Sequence, residues 1–355
     1  MNIEIRPYRL ALQVPYRWSK GTQHHRMGLI LRLQAGAHIG WGEAALPPHV
    51  NYTPQAFAQE CAAILSDLDP LAPDFLTQLD QRECPARLRC GASTALLTLR
   101  ASEAGLPLAA YLMRCQAKAL PDRVPVNDLI GDADPAMCAS RANEAAARGQ
   151  DTVKVKCTPE RELDLQRVGA IRKAQPHIRI RIDPNESWPL EWAAEQLNAM
   201  AAFNIAYCEE PLPRGTPLAD YGQLRQQTRV AIALDDSIRT LRDVELAVLH
   251  KAADMFIVKA QRVGGPDRLL EIVRAATAAG IRCTITSSIE TSVGLYLGIH
   301  CTAMTPAPMS PAGIGTARIF AENVCEPPPI VHGFMALPQR PGLGFDPQPW
   351  WDAQG

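Results

Sequence analysis

The sequence predicts an α/β protein, a (β/α) TIM-type barrel preceded by an α+β domain. Three observations lead there. From about residue 124, short apolar runs alternate with longer amphipathic stretches. Several of those runs end in charged residues at a near-constant interval. The text before them reads differently, as alternating strands followed by helices.

Residues 1 to about 50 contain IEIRPYRLAL, GLILRLQAG and HIGWGEAALPP, punctuated by glycine and proline. That pattern predicts an antiparallel meander. Thr53 and Pro54 then supply an N-cap and a first-turn proline. GASTALLTLRASEAGLPLAAYLM continues as helix. Residues 1–118 are expected to form an α+β capping domain. The runs that follow are VPVNDLI, TVKVKC, IRIRIDPN, IAYCEEP, VAIALDDS, DMFIVKAQ and RCTITSSIE, with helical text between them. Strand–helix repetition implies parallel strands, and six or more units imply a barrel over residues 119–319. A doubly wound sheet usually opens on a G-x-G-x-x-G turn, which is absent. The proline- and glycine-rich tail, 320–355, is expected to pack back on the first domain.

The chain has 355 residues, with 37 acidic against 36 basic. Nucleic-acid and anionic-membrane proteins normally show a basic excess, so neither partner is expected. The N-terminus is too polar for a signal peptide and no stretch of about 18 apolar residues occurs, so a soluble, cytoplasmic protein is expected. None of the ten cysteines forms a C-x-x-C pair, and the eight histidines form no H-x-H or H-E-x-x-H. Zinc ribbons and histidine-ligated hydrolases are therefore disfavoured, and buried free thiols expected. Assembly into a homo-oligomer is left open.

Side chains two apart in a strand share a face, so Lys154 and Lys156 lie together, opposite Val153, Val155 and Cys157. Later runs end in Asp183, followed by Asn185, then Glu209, Asp235 and Lys259. From Lys156 the successive intervals are 27, 26, 26 and 24 residues, about one strand, one helix and two loops each. Barrel active sites form at the C-terminal strand ends. Each unit thus delivers one charge to the same rim, in the order lysine, acid, acid, acid, lysine. Each position alone has an ordinary explanation, an N-cap or a loop charge. Five in consecutive units do not. Three converging carboxylates need a positive centre. An all-oxygen set suits Mg²⁺, with Mn²⁺ as the substitute ion. A desolvated lysine beside a metal can act as a base near neutral pH. The chemistry that such a site serves is removal of a proton next to a carboxylate, giving an enediolate.

These residues resemble the enolase superfamily, in its muconate-lactonizing subgroup. The matching text is K-x-K at Lys154 and Lys156, D-x-N at Asp183 and Asn185, E-E-P at Glu209, A-L-D-D-S at Asp235 and V-K-A-Q-R-V-G-G at Lys259. The early RMGLILRL and HIGWGEAALPP also look like that family's first domain. The resemblance covers most of the chain and implies a modified (β/α)7β barrel with an α+β cap. It implies Asp183, Glu209 and Asp235 as the Mg²⁺ ligands, and Lys156 and Lys259 as acid/base lysines on opposite faces of a small-molecule carboxylate. Lys154 would add positive potential behind Lys156, and Asn185 a hydrogen bond at the metal site. Asp236 departs from the family's D-E-S triplet, which shortens that contact by a methylene.

The stretches 286–294 and 313–316, TSSIETSVG and GIGT, look most like o-succinylbenzoate synthases of menaquinone biosynthesis. The likeness implies a syn dehydration, with Thr286, Ser287, Gly313 and Ile314 at the substrate and Lys259 facing a ring as a cation. Arg262 matches relatives that also racemise N-acylamino acids, where it would lower the pKa of Lys259; the plainer reading pairs it with a rim carboxylate. Muconate cycloisomerisation and dipeptide epimerisation are further alternatives. The last is usually marked by a late D-x-D where this chain reads Gly-Ile-Gly-Thr-Ala-Arg. The segment from Trp18 to Arg26 is expected to act as a mobile lid, with Arg26 on an anionic substrate. Readings from other classes are a Schiff-base aldolase, which needs no acid cluster, and a non-catalytic binding protein, which need not keep all five residues.

Overall fold

The computed structural model describes all residues except 1, 19–20, 48–51, 83, 159 and 355, and of 14–18 and 21 the backbone alone. The first three strands form an antiparallel sheet: β1 (Glu4–Trp18), β2 (Gly21–Ala35) and β3 (His38–Ala45). Helix Ala86–Glu103 lies against β3. Glycine permits that approach. A Cβ on Gly40 would stand 1.9 Å from the Ala95 carbonyl oxygen, and one on Gly42 the same distance from that of Gly91. Leu29, Leu31 and Leu33 of β2 pack with Phe57, Leu79 and Leu96 into a core of their own.

After β4 (Arg123–Pro125) come seven parallel strands: β5 (Asp128–Ile130), β6 (Thr152–Lys156), β7 (Arg179–Asp183), β8 (Ile205–Glu209), β9 (Ile232–Leu234), β10 (Met255–Val258) and β11 (Arg282–Ile285). They neighbour one another in sequence order, each pair separated by at least one helix. The two edges meet through residues 312–313. Ala312 bridges Val126, with hydrogen bonds to Pro125 and from Asn127, and Gly313 bridges Thr286 with bonds to Ile285 and from Ser287. That short stave closes the ring as its eighth member.

Alternation sorts the strand residues. Val153, Val155, Ile180, Ile182, Cys208, Leu234, Phe256 and Val258 join the large outer core with the helices. Tyr207, Ala233, Met255 and Ile257 form a separate small cluster inside the barrel. Lys154, Arg181 and Glu209 share the inward parity. The barrel interior thus sets this apolar cluster beside charged side chains, with Tyr207 in register with Arg181 and Ala233 with Glu209.

The tail crosses both units. β12 (Phe334–Ala336) pairs with β4, Ala321 donates to the Ala11 carbonyl, and Trp351 packs 5.4 Å from Trp41 with Arg6 over its ring. The antiparallel sheet is fixed to the barrel by Glu43 of β3. Its buried carboxylate accepts from Thr291 N (3.0 Å), Thr291 Oγ1 (2.7 Å) and Gly294 N (2.9 Å), at the start of helix Ser292–Ala303, and from the Tyr8 hydroxyl (2.7 Å). A carboxylate there satisfies amide groups that the helix leaves open. All ten cysteines are free thiols. Among the described residues, no helix is long and apolar enough to cross a membrane.

His300 ties three elements together. Its Nδ1 accepts from Ala109 N (3.3 Å), so Nε2 carries the proton and donates to the Leu343 carbonyl (3.2 Å). Burial pushes its pKa down to about 4. An unfolded chain protonates histidine near 6.5, so between pH 6.5 and 4 the unfolded state takes up the extra proton. Stability should therefore fall as pH drops through that window, by on the order of 3 kcal/mol from this group. His300→Gln should flatten the decline in denaturation midpoint relative to wild type; parallel curves would contradict the assignment.

Candidate active site

The C-terminal ends of β6 to β10 carry the charges that the intervals predict. Lys156 is opposite Asp183 in the β6–β7 register. Its ammonium donates to Asp183 Oδ2 (2.6 Å) and Asn185 Oδ1 (3.0 Å). Lys154, one layer deeper, spans Asp183 Oδ2 (2.7 Å) and Glu209 Oε1 (2.6 Å). Lys259, directly after β10, donates to Asp235 Oδ2 (2.5 Å). In a ring of eight staves β6 and β10 stand four apart, so Lys156 and Lys259 face each other across the mouth. Asp183, Glu209 and Asp235 lie on the three strands between them.

Asp183, Glu209 and Asp235 are nearly inaccessible, at 1%, 1% and 3% exposure. Burial alone would raise the pKa of Asp183, but Lys154 and Lys156 hold it far below the usual carboxylate range. Burial is likewise overcome at Asp235, by Lys259 and Arg262. Glu209 is pushed up to about 7, by burial first and then by Asp183, with Lys154 opposing. Burial opposes the charge on Lys154 too, yet Asp183, Glu209 and Asp235 outweigh it and keep the pKa well above that of a free lysine. Lys154 is therefore a firmly charged bridge between two of the acids.

The second glutamate of E-E-P works elsewhere. Glu210, at φ +40°, accepts from Asp235 N (2.6 Å), Ser237 Oγ (2.5 Å) and the Tyr221 hydroxyl (3.0 Å). It brackets the loop that presents Asp235. Asn185 and Glu186 also have positive φ, at 53° and 61°, and Asn185 N caps Asp183 Oδ1 at 2.9 Å. Strained backbone at strand ends is where a site must aim side chains against local preference.

A cavity of about 730 Å³ opens above the rim. Lys154, Lys156, Asn185, Asp235, Asp236, Lys259, Arg262, Thr286, Ser287 and Gly313 line it, and Asp183 and Glu209 lie beneath. Thr286 and Ser288 line the cavity, and their hydroxyl oxygens are buried with no hydrogen-bond partner among the described residues. Ser287 Oγ instead pairs with Thr316 Oγ1 at 3.1 Å. Arg262 reaches Asp235 Oδ1 (3.2 Å) and Asp236 Oδ1 (2.8 Å), the rim pairing weighed in the sequence.

Two expected substrate contacts sit off the cavity. Ile314 is buried in the core against Gly298. Arg26 is 1% exposed and donates to the carbonyls of Ile289 (2.9 Å) and Ser288 (3.0 Å). Ile289 has φ +63°, unusual for a β-branched residue, and Arg26 pins that turn from behind the wall. Arg26 therefore positions the wall and does not reach through it. Of the expected lid, Trp18 to Arg26, Trp18 ends β1 and residues 21–26 begin β2, and residues 19–20 lie outside the described residues.

One lining residue carries no sequence signal. Among the described residues Arg87, from helix Ala86–Glu103, hydrogen-bonds the Ala45 carbonyl alone and has no carboxylate within ion-pair distance. With Leu46, Tyr52 and Phe57 it makes the wall contributed by the first domain.

Among the described residues, no three acid, histidine or cysteine side chains are already gathered around one point, because ammonium groups stand between the acids. The donor set nevertheless suits a hard divalent ion. Three carboxylates lie on adjacent strand ends, and Glu209 Oε2 is buried with no hydrogen-bond partner. Orphaned carboxylate oxygens are costly, and an oxygen-seeking cation would satisfy this one.

Residues 137–351 match the family model described as Enolase C-terminal domain-like. An o-succinylbenzoate synthase of Mycobacterium tuberculosis is 34% identical over 65% of this chain and 72% of its own. A D-Ala-D/L-Ala epimerase of Cytophaga hutchinsonii is 28% identical over 97% and 94%. Among solved structures, a muconate lactonizing enzyme from Pseudomonas fluorescens, complexed with muconolactone, superposes with TM-score 0.88 at 23% identity, covering 97% of this chain and 95% of the other. A dipeptide epimerase from C. hutchinsonii, complexed with Mg and a dipeptide, gives 0.87 at 24% over the same shares.

Proposed function

The chain belongs to the enolase superfamily, in its muconate-lactonizing subgroup, and from that membership we propose that it removes the proton α to a carboxylate, in the syn dehydration that makes o-succinylbenzoate. The observation that carries the reading is the placement of Lys156 and Lys259 across from one another, over three buried acids. Mg²⁺, when held by Asp183, Glu209 and Asp235, supplies the positive charge that makes an enediolate accessible.

The remaining work falls to side chains. Lys156 Nζ takes the α-proton, with Asn185 Oδ1 at 3.0 Å aiming the nitrogen. Proton and hydroxyl leave from one face in a syn elimination, so the same ammonium can return its proton to the departing oxygen, giving water. Lys259 stays charged on the other face, against the substrate ring. The hydroxyls of Thr286 and Ser288 meet the substrate's polar arm. The Leu46, Tyr52 and Phe57 wall excludes water from the ring, and Arg87 offers a charge to a second anionic group.

The experiment is direct. With Mg²⁺ present, the cyclohexadiene precursor of o-succinylbenzoate should lose its absorbance, and EDTA should stop the loss. No loss with Mg²⁺ would remove this reading.

A second reading, N-acylamino acid racemisation, is favoured by one feature. Lys156 and Lys259 each donate to an aspartate at the rim, Asp183 and Asp235. A racemase needs a base on both faces. Deuterium from D₂O washed into the α-carbon of a recovered N-succinylamino acid would identify it.

A further inference from the structure

We propose that a second cavity, between the outer face of the barrel wall and the C-terminal segment, binds a small carboxylate with an apolar body. It measures about 480 Å³, within the range of ordinary small-molecule sites of roughly 300–1,000 Å³. In the β5–β6 register Leu129 lies beside Lys154 and faces inward, so Asp128 faces away from the active-site cavity. Phe320, Ile330 and Met335 give the second cavity an apolar side, and Asp128, Arg148, Gln150 and Arg318 a polar end.

The polar end is built for an anion. Asp128 is 3% exposed and both its oxygens are taken. Oδ2 accepts from Arg148 Nη2 (2.5 Å) and Arg318 Nη1 (3.1 Å); Oδ1 accepts from Leu129 N (2.8 Å) and is ion-paired with Arg318 Nη2 at 2.5 Å. Two guanidiniums on one carboxylate leave one positive charge over, so a metal cation is not the ligand. Gln150 supplies the second observation. It is 3% exposed, and Oε1 accepts from Arg148 Nε at 3.2 Å, which fixes the amide's orientation. Its Nε2 is then a buried donor with no partner. Such a donor is costly unless a ligand takes it. An uncompensated charge, an open N–H and an apolar wall together describe a monocarboxylate whose body lies toward Phe320 and Ile330. Gly315 lines both cavities, so this one shares a wall with the active site.

Benzoate is the probe, with benzamide as the uncharged control and inorganic phosphate as the anion without an apolar body. In isothermal titrations benzoate should bind in the millimolar range or tighter, and the two controls at least about tenfold more weakly. Lys259→Glu, which puts a negative charge into the active-site cavity and is remote from the second one, should leave benzoate binding unchanged, which separates the two sites. Gln150→Glu keeps the acceptor for Arg148 and cancels the excess charge, so it should weaken benzoate by about tenfold or more. Ala317→Leu, which fills the apolar side, should do the same, and keeps the test open if the glutamate variant does not fold. No benzoate binding to the wild type, equal binding to a folded Gln150→Glu or Ala317→Leu variant, or loss in Lys259→Glu would overturn the proposal.

Discussion

Lys156→Ala is expected to lower kcat by about 10²–10⁴-fold, the usual contribution of a positioned base. KM for the precursor should change little, because the carboxylates and the cavity walls stay in place. The fold should survive. Asp183 keeps Lys154 and the Asn185 amide, so no buried charge is stranded. Lys156→Arg should not rescue turnover, since a guanidinium does not give up its proton in the working range. Steady-state rates on the three proteins check this, and full turnover by the alanine variant would place the base elsewhere.

Glu209→Gln is the second large effect. The amide keeps the shape but removes one of three charges, and its nitrogen cannot coordinate a cation. Lost supporting contacts around a metal typically cost about 10–100-fold in affinity, so loss of a ligand should cost about 100-fold or more. The Mg²⁺ concentration at half-maximal activity should rise by that factor, and calorimetric Mg²⁺ binding should weaken in parallel. Lys154 retains Asp183 at 2.7 Å, so the melting temperature should move far less than the metal affinity. An unchanged Mg²⁺ midpoint would remove Glu209 from the ligand set.

Much of this site was legible because barrel strands make it so. A charge at the end of an apolar run breaks the burial rule, and five such breaks at one interval name the rim before any contact is known. The Val-Lys-Val-Lys alternation also gave the correct face for both lysines. Pairing was not legible. The alternation puts Lys154 behind Lys156 but does not show that it bridges Glu209 and Asp183 directly. Glu210 and Asp236 read as neighbours of the three acids, but what each holds, the 235–237 loop and Arg262, depends on residues 25 and 26 apart meeting.

Arg26 and Ile314 mark another limit. Basic and glycine-rich text near a site suggests contact, yet whether a side chain points through a wall or props it depends on backbone carbonyls, which sequence does not display. Arg87 sits in ordinary helical text and becomes conspicuous only when it is seen to have no carboxylate within ion-pair distance among the described residues. The eighth stave, 312–313, is two residues long, too short for any periodicity to show.

Under the proposed function the chemical step breaks a carbon–hydrogen bond α to a carboxylate, with Lys156 as the acceptor. Single-turnover kinetics, with enzyme and Mg²⁺ in excess over precursor, isolate that step from product release. Precursor carrying deuterium at the α-carbon should convert more slowly than the protiated compound. Equal single-turnover rates for the two would contradict the account.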